Sequence, residues 1–322
     1  MIYLFIFLFS FTLTYFIKNY AIKKSLIAEV NERSSHTTPT PHGGGIAISI
    51  TWLIGLIYLN INNQIDPNLF YALLVGLGIS AISFIDDIID LKPKIRMIAH
   101  FSFAIVGLWF LGGLNSIDFG LFSISDEYYI SSIIGIVAIV YFINIANFMD
   151  GLNAFIGSEM LFLSITGFIL FGDAHFVVLC VAILGFLYWN FGNHAKIFLG
   201  DSGSTLLGYN IAIFTIYYAN IDSVNLWIWL ILFGLFWFDA TLTIVRRKLN
   251  GEQITQAHKK HGYQRLNQSG WSHLYVSLFG MGINTVLFMI VYFISNVAIA
   301  FGISLIVLYG MMKFIDSKKA FK

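Results

Sequence analysis

Asp86, Asp87 and Asp90 stand together where an apolar run ends, and carboxylates in that arrangement can do chemistry. In a continuous helix, Asp86 and Asp90 lie one turn apart with Asp87 beside both. Three carboxylates so close repel one another unless a cation or a raised pKa relieves the repulsion. Mg²⁺ commonly binds one or two carboxylates together with substrate phosphates. The spacing therefore indicates a divalent metal site, or otherwise a solvated helix end beside Lys92 and Arg96.

A second polar group follows another apolar run and contains Asn147, Asp150, Gly151 and Asn153. The Asn and Asp side chains can exchange hydrogen bonds with a polar ligand, and glycine lets a ligand approach the backbone. The same residue types are also those of ordinary turns. This segment alone leaves a ligand site and a plain turn as alternatives.

A third group precedes a predicted helix and contains Lys196, Phe198, Gly200 and Asp201. A helix N-terminus attracts phosphate through its free N–H groups and the positive end of its dipole. An aspartate suits that position only if a cation bridges it to the phosphate. Asp201 therefore indicates a metal-bridged phosphate, with a simple N-cap as the alternative.

A fourth group lies in the longest polar loop and contains His258, Lys259, Lys260, His261 and Arg265. Its spacing could form a zinc pair, an anion clamp or a lipid-headgroup patch. Zinc normally needs three or four ligands, and no cysteine or further histidine in this loop completes such a set. Basic residues beside a membrane also occur only to set topology. This loop alone does not decide among these alternatives.

The elements that must position these groups are apolar. Of the 322 residues, 58% are hydrophobic and 11% are charged, whereas soluble domains carry about 25% charged residues. In lipid, backbone N–H and C=O groups must hydrogen-bond within the protein, so long apolar runs are interpreted as helices. The single cysteine, Cys180, excludes an internal disulfide. We predict an all-α, polytopic integral membrane protein with about eleven transmembrane helices, at 2–17, 43–60, 68–85, 96–114, 130–147, 154–171, 174–190, 203–220, 225–244, 273–294 and 296–313.

The basic residues predict the orientation. All 18 Lys and Arg residues fall in alternate loops (18–42, 86–95, 148–153, 191–202 and 245–272), in the tail after residue 313, or at the adjoining helix ends. The positive-inside rule then places the N-terminus in the periplasm and the C-terminus in the cytoplasm. The first run is expected to be a retained helix rather than a signal peptide. No linker divides the chain, so we predict one domain over residues 1–322.

Two carboxylates interrupt apolar runs. Asp239 is expected to be functional or to make structural hydrogen bonds, and Glu159 to cap or to face a polar groove. A membrane transporter with an inner-face carboxylate site is the main alternative to an enzyme, because such carboxylates also mark ion pathways. The polar groups cluster at the predicted inner helix ends rather than at mid-depth, which favours an enzyme.

Five motifs in one order resemble those of a known family, the polyprenyl-phosphate N-acetylhexosamine-1-phosphate transferases. This family includes the phospho-N-acetylmuramoyl-pentapeptide translocase and enzymes that begin O-antigen or teichoic acid synthesis. The motifs are Arg33-Ser-Ser-His36-Thr-Thr-Pro39-Thr-Pro41-His-Gly43-Gly44-Gly45, Asp86-Asp87-Ile-Ile-Asp90-Leu91 with Arg96, Asn147-Phe-Met-Asp150-Gly151-Leu-Asn153, Phe198-Leu-Gly200-Asp201-Ser-Gly203-Ser and His258-Lys-Lys-His261-Gly-Tyr263-Gln264-Arg265.

The resemblance implies a single transmembrane catalytic domain whose cytoplasmic loops form the active site in the bacterial inner membrane. It implies the reaction of a UDP-N-acetylhexosamine with undecaprenyl phosphate, giving undecaprenyl-diphospho-sugar and UMP, with Mg²⁺ or Mn²⁺ as cofactor. It allows a homodimer, and the composition indicates no nucleic-acid partner.

The family's roles carry over to matching positions of this chain. The metal is expected on Asp201, with help from Asp87. The expected catalytic residues are Asp86, Asp87, Asp150, His258 and His261. The expected substrate-binding residues are Asn147, Gly151, Asn153, Phe198 (stacked on uracil), Lys196, Lys259, Lys260 and Arg265.

Two mechanisms are compatible with the resemblance. Asp86 or Asp87 orients the lipid phosphate for direct attack, or an aspartate attacks first and forms a phosphosugar-enzyme. Direct attack is favoured, because a lipid phosphate is largely ionised at neutral pH and needs positioning more than activation.

Departures from the translocase motifs indicate which branch of the family the chain resembles. Asp90 stands where translocases have Lys, and Asn153 stands where they have an acidic residue. The last motif is similar to that of O-antigen-initiating enzymes that use N-acetylated 6-deoxyhexosamines, such as N-acetylfucosamine or N-acetylquinovosamine. Lys259 replaces the usual Arg of that branch, which changes a bidentate phosphate contact into a point charge. His100 and the pair Asn193-His194 also depart from the family pattern.

Overall fold

The computed structural model describes residues 1–24, 26–28, 39–89, 91–118, 123–124, 128–192, 195–254, 256 and 258–321. Arg33, His36, Asp90, Asn193 and His194 of the predicted motifs lie outside these residues. The helices are α1 (Ile2–Lys23), α2 (Gly45–Ile61), α3 (Pro67–Ile89), α4 (Pro93–Phe110), α5 (Tyr128–Phe148), α6 (Phe155–Phe171), α7 (Ala174–Asn190), α8 (Asp201–Ile221), α9 (Val224–Leu232), α10 (Gly234–Leu249), α11 (Gly262–Gln268), α12 (His273–Phe293) and α13 (Val297–Lys318). Strand β1 (Ile27–Ala28) pairs antiparallel with β2 (Thr40–Pro41), and β3 (Ile117–Asp118) pairs with β4 (Ser123–Ile124).

Long apolar helices make up most of the described chain, which confirms the helical class and indicates a membrane-integral protein. Within the described residues, five helices are long and apolar enough to cross a membrane, namely α1, α3, α5, α12 and α13. The pair α9–α10 is a sixth if it is counted as one span. The predicted number of eleven spans and the predicted orientation remain predictions.

Helix α8 lies at the centre of the packing. Most of its residues are buried, and it packs mainly against α5 and α3. Small residues permit close approach, since a Cβ on Gly208 would lie 2.6 Å from the carbonyl oxygen of Phe142. The Tyr209 hydroxyl donates to the carbonyl of Ala72 at 2.8 Å. Close packing and internal hydrogen bonds hold helices together in lipid, so they fix α8 and the Asp201 that begins it.

The predicted helix over 225–244 is broken in the structure. Helix α9 ends at Leu232, α10 begins at Gly234, and the two axes differ by 75°. The Trp237 Nε1 donates to the carbonyl of Leu230 at 2.7 Å, next to the break. Hydropathy could not reveal the bend, because the run is apolar on both sides of it.

Contacts between helix ends show that many helices begin or end at the same end of the bundle. This end contains the starts of α2, α4, α6, α8 and α12 and the ends of α1, α3, α5, α7, α10 and α13. We call it the site end. All four predicted polar groups lie there. Glu159 lies deeper, buried in α6, where one carboxylate oxygen accepts from Asn284 of α12. Glu159 is thus part of a polar contact between two helices.

Candidate functional site

Backbone hydrogen bonds join the third polar group, at Phe198, to the residues just before and at the start of α2. The Phe198 N–H donates to the carbonyl of Pro41 at 2.8 Å, and the Phe198 carbonyl accepts from Gly44 N–H at 2.9 Å. The Gly45 N–H donates to the carbonyl of Leu199 at 2.8 Å. Two motifs far apart in sequence therefore form one unit, with the starts of α2 and α8 side by side.

Glycine is required at two points of this unit. A Cβ on Gly45 would lie 2.3 Å from both Cα and N of Gly203, closer than real Cβ contacts allow. Gly200 has a φ of +78°, and a Cβ there would lie 3.0 Å from Asp87 Oδ2. Gly200 thus supplies the left-handed turn into α8 and lets the Asp87 carboxylate approach the backbone.

Asp86 is held by two donors. Its Oδ1 accepts from Leu91 N–H at 2.7 Å, and its Oδ2 accepts from Arg96 Nη1 at 2.7 Å. The same Arg96 nitrogen lies 3.8 Å from Asp201 Oδ2. Arg96 therefore places one fixed positive charge between the first and third polar groups.

Asp87 has one oxygen that is only loosely held. Within the described part of the chain, its Oδ2 is buried with no hydrogen-bond partner, and His42 Nδ1 lies 4.0 Å away. The carboxyl faces the start of α8, near the backbone N–H groups of Asp201 and Ser202. Leaving a buried polar atom unpaired is costly, so this oxygen is well placed to receive a ligand.

Asp150 and Asp201 complete the carboxylates at this point. Burial raises the pKa of Asp150 well above its usual value, and the charges of Asp201 and Asp87 raise it further. Burial also raises the pKa of Asp201, against a hydrogen bond from Asn147 that lowers it. Neighbouring carboxylates disfavour each other's ionised form, so a cation bound among them would be stabilising.

These residues fit a divalent cation that is held partly by substrate. Within the described part of the chain, no group of three or more His, Cys, Asp or Glu side chains could hold a metal by itself. Asp87 and Asp201 offer two carboxylates, one with an unpartnered oxygen. Mg²⁺ usually takes one or two carboxylates and completes its shell with water and substrate phosphates. The predicted metal ligands therefore suit Mg²⁺ chemistry.

The second polar group is a turn tied to the neighbouring helices. Asn153 Nδ2 donates to the carbonyl of Gly192 at 2.9 Å, and Asn153 N–H donates to His273 Nδ1 at 3.3 Å. The next residue, Ala154, has a φ of +60°, a conformation that costs energy without glycine and persists only where neighbours enforce it. The Asn153 amide, predicted to bind substrate, is engaged within the protein.

Asn190 connects this turn to the third group. Its Oδ1 accepts from Ala154 N–H at 2.7 Å, and its Nδ2 donates to the carbonyl of Ile197 at 2.8 Å. The side chain is buried at the end of α7. One amide therefore sets the spacing between the Gly151 turn and the segment that carries Phe198.

Replacing Asn190 by Asp keeps the acceptor for Ala154 but sets a carboxylate oxygen against the Ile197 carbonyl. We expect kcat/KM for the UDP-sugar donor that the motif resemblance implies to fall by about 10²-fold, because small misplacements of binding groups cost that much. The measurement is steady-state kinetics on protein whose thermal unfolding matches wild type. Asn225→Asp is the matched control, since Asn225 Nδ2 also donates to a backbone carbonyl, that of Tyr218. An equal loss in both variants would contradict a positioning role for Asn190.

Asp239 anchors the fourth group from inside α10. Its Oδ1 accepts from Gly262 N–H at 2.7 Å, and its Oδ2 accepts from Tyr263 N–H at 3.2 Å, at the start of α11. The Tyr263 hydroxyl then donates to the carbonyl of Phe148 at 2.9 Å. A Cβ on Gly151 would lie 2.3 Å from that hydroxyl. Asp239 thus makes structural hydrogen bonds that bring the fourth group against the second.

The two histidines of the fourth group lie together, with ring centroids 4.8 Å apart. Burial, with the nearby charges of His261 and Arg247, lowers the pKa of His258 to about 4, so the ring is neutral at neutral pH. His258 Nδ1 accepts from Lys260 N–H at 3.2 Å, which leaves the proton on Nε2 as a donor. His261 is buried, with Nδ1 3.7 Å from Asp239 Oδ1. His258 is therefore the better placed of the two to donate to a phosphate.

Lys260 and Arg265 are paired with acidic side chains. Lys260 Nζ lies 2.7 Å from Glu252 Oε1, and Arg265 Nη1 lies 2.7 Å from Asp316 Oδ1 on α13. Arg265 therefore joins the loop to α13, whereas Lys260 pairs within the loop. Their predicted contact with substrate remains a prediction.

Three other predicted substrate-binding residues are Lys196, Phe198 and Lys259, and their predicted contact with substrate remains a prediction. Lys196 Nζ lies over the ring of Trp189, 5.5 Å from its centroid. Phe198 is fixed through its backbone, and its side chain is half-buried. Lys259 is half-buried, and its carbonyl accepts from Gln268 Nε2 at 2.7 Å.

Sequence reasoning assigned no role to His42 or Asn190. His42 stands beside the glycine triplet of a quoted motif, so its place in that motif was the available signal. Asn190 ends an apolar helix and matches no quoted motif. Only the fold reveals that it joins two polar groups.

The fold and the site are those of a helical membrane protein whose carboxylates cluster at one end of the bundle. The model of glycosyl transferase family 4 matches residues 69–219, which include the first three polar groups. The chain is similar to that family over these residues, and its motifs resemble those of the polyprenyl-phosphate N-acetylhexosamine-1-phosphate transferases.

Named relatives cover most of the chain. A Bacillus subtilis (strain 168) protein is 29% identical over 276 residues, 81% of this chain and 75% of its own length, and is named a probable undecaprenyl-phosphate N-acetylglucosaminyl 1-phosphate transferase. A Thermotoga maritima undecaprenyl-phosphate alpha-N-acetylglucosaminyl 1-phosphate transferase is 27% identical, covering 80% of this chain and 79% of its own. A phospho-N-acetylmuramoyl-pentapeptide-transferase of Staphylococcus carnosus is 28% identical, covering 80% and 85%.

Proposed function

We propose that this chain transfers an N-acetylhexosamine 1-phosphate from a UDP-sugar to undecaprenyl phosphate. The observation that carries the proposal is the position of Asp86, Asp87 and Asp201 at the start of α8. Arg96 Nη1 lies 2.7 Å from Asp86 Oδ2 and 3.8 Å from Asp201 Oδ2, and a buried Asp87 oxygen has no hydrogen-bond partner among the described residues. Carboxylates so arranged suit a cation bound together with phosphates. The names of the relatives, which act on undecaprenyl phosphate, support the same reaction.

The proposed reaction is a direct displacement at phosphorus. An oxygen of the lipid phosphate attacks the β-phosphorus of the UDP-sugar, and the bond from that phosphorus to the bridging oxygen breaks. The bridging oxygen leaves with UMP, and the lipid then carries a diphosphate joined to the sugar. Because the lipid phosphate is already ionised at neutral pH, the protein mainly aligns the two reactants.

Different residues of the site contribute to aligning the two reactants and offsetting their charge. Arg96 orients Asp86 and supplies a fixed positive charge beside Asp201. His258 offers its Nε2–H to a donor phosphate. Asp87 and Asp201 would hold Mg²⁺ or Mn²⁺, which would offset the charge of the two phosphates when bound. The second and third groups, joined by Asn190, would hold the nucleotide.

The proposal extends to the sugar and to the location. The form of the last motif favours N-acetylated 6-deoxyhexosamines and the first membrane step of O-antigen or a related envelope polysaccharide. The predicted orientation places the site on the cytoplasmic face of the inner membrane, where a cytosolic UDP-sugar reaches it.

A release assay on detergent-purified protein tests the proposal. We expect UMP only when undecaprenyl phosphate and Mg²⁺ are both present, and we expect N-acetylfucosamine or N-acetylquinovosamine donors to exceed N-acetylglucosamine and N-acetylgalactosamine. Preference for N-acetylglucosamine would support the proposed reaction but would contradict the proposed use of 6-deoxyhexosamine donors. Absence of UMP with every donor, from protein shown to be folded, would reject the reaction.

A further inference from the structure

Two lysines from distant parts of the chain contact one indole ring. Lys18, near the end of α1, places Nζ 4.9 Å from the ring centroid of Trp189 and 4.8 Å from that of Tyr15. Lys196, in the loop after α7, places Nζ 5.5 Å from the centroid of the same Trp189 ring. The ring attracts each cation, so both positive charges are held at this ring.

Trp189, near the end of α7, is held firmly against α1. Its Nε1 donates to the carbonyl of Phe11 at 3.0 Å. Its ring centroid lies 5.0 Å from that of Phe11 and 5.6 Å from that of Tyr15. Lys196 N–H also donates to the Trp189 carbonyl at 2.8 Å. The packing of the two helices therefore preforms the arrangement of the two lysines.

The positive charge at this point is not balanced within the described ranges, where neither ammonium lies within 4.0 Å of a carboxylate. Arg246 and Arg265 differ, because both pair with Asp316. Lys18 and Lys196 therefore form a local excess of positive charge that an anion would offset.

The surroundings place this charge at the level of lipid headgroups. Both helices end beside it, at the site end, and Tyr15, Phe16, Tyr188 and Phe191 are exposed around it. Exposed aromatic rings on membrane proteins concentrate at the interface between the hydrocarbon and water. Among anions, one attached to a lipid fits these surroundings best, because its acyl carbons would pack against the exposed rings.

We propose that Lys18, Trp189 and Lys196 form a binding site for the headgroup of an anionic phospholipid, represented by phosphatidylglycerol. The phosphodiester lies between the two ammonium groups, and the first acyl carbons lie over Tyr188 and Phe191. A zwitterionic headgroup binds less well, because its own cation adds to the two lysines. Lys196 thereby has a role apart from its predicted contact with the nucleotide sugar.

The test is lipid retention by the intact protein, without donor or acceptor substrate. Wild type and Lys18→Gln/Lys196→Gln are reconstituted in nanodiscs of phosphatidylcholine with a minor share of phosphatidylglycerol, and co-purified lipid is counted by native mass spectrometry. We expect wild type to retain phosphatidylglycerol preferentially. The double variant is expected to lose about 25-fold in that preference, about fivefold for each lysine.

Two control variants separate this site from general surface charge. Lys313→Gln removes a lysine that lies 5.4 Å over the ring of Tyr309, with no second cation on that ring among the described contacts, and should leave retention unchanged. Lys18→Arg/Lys196→Arg keeps both cations and should restore it. Equal retention by wild type and the double Gln variant, no preference in wild type, or an equal loss in Lys313→Gln would overturn the proposal. None of these outcomes depends on the transferase reaction.

Discussion

Replacing Asp201 by Asn is expected to reduce turnover by about 10³-fold, the scale on which losing one charge-stabilising group slows catalysis. Asp201 begins α8 beside Arg96 and the Asp87 carboxyl. The amide keeps the size of the side chain but cannot balance a cation or the Arg96 charge. Turnover and Mg²⁺ dependence are measured together, because a weakened metal site also raises the Mg²⁺ concentration that is needed for half-maximal rate.

The matched control for this variant is Asp222→Asn. Asp222 follows the other end of α8, where its Oδ1 accepts from Val224 N–H at 3.0 Å. We expect this variant to keep wild-type turnover and the same thermal unfolding. Wild-type turnover in Asp201→Asn, or an equal loss in both variants, would remove Asp201 from the reaction centre.

Replacing Gly45 by Ala is expected to destabilise the protein by about 2–3 kcal/mol, the upper part of the range for overpacked cores. The new Cβ would lie 2.3 Å from the backbone of Gly203, and backbone cannot move aside as a flexible side chain can. The starts of α2 and α8 must then separate, which disturbs the Gly45–Leu199 hydrogen bond beside Gly200. Thermal unfolding in detergent and residual turnover are the two measurements.

Gly282→Ala provides the comparison, because nothing lies within 4 Å of the added Cβ in α12. Alanine is the better helix former by about 1 kcal/mol, so this variant should unfold at the same or a higher temperature. If both glycine variants unfolded like wild type, the close approach of α2 and α8 would not be required.

The sequence predicts the helices well, since hydropathy reports burial in lipid or protein. Each of the eleven predicted segments coincides with a helix, although α1 extends to Lys23 and the ninth segment divides at Phe233. The bend and the short helix α11 depend on contacts with other helices, such as the bonds from Asp239. Such contacts leave no periodic pattern in the sequence.

The site is predictable where its chemistry depends on residue type. Carboxylates, glycines and amides near helix ends point to Asp86, Asp87, Asp150 and Asp201, and the structure brings them to one end of the bundle. What the sequence cannot supply is which partner each side chain takes. Arg96 pairs with Asp86, whereas Arg265, predicted for substrate, pairs with Asp316.

The nucleotide released by wild-type protein shows which bond of the donor breaks. With undecaprenyl phosphate, Mg²⁺ and an accepted UDP-sugar, we expect UMP and a lipid that carries a diphosphate between its chain and the sugar. These products would show that the bond between the two donor phosphates broke. Release of UDP, with a lipid that carries one phosphate, would show that sugar alone was transferred and would contradict the proposed phosphosugar transfer.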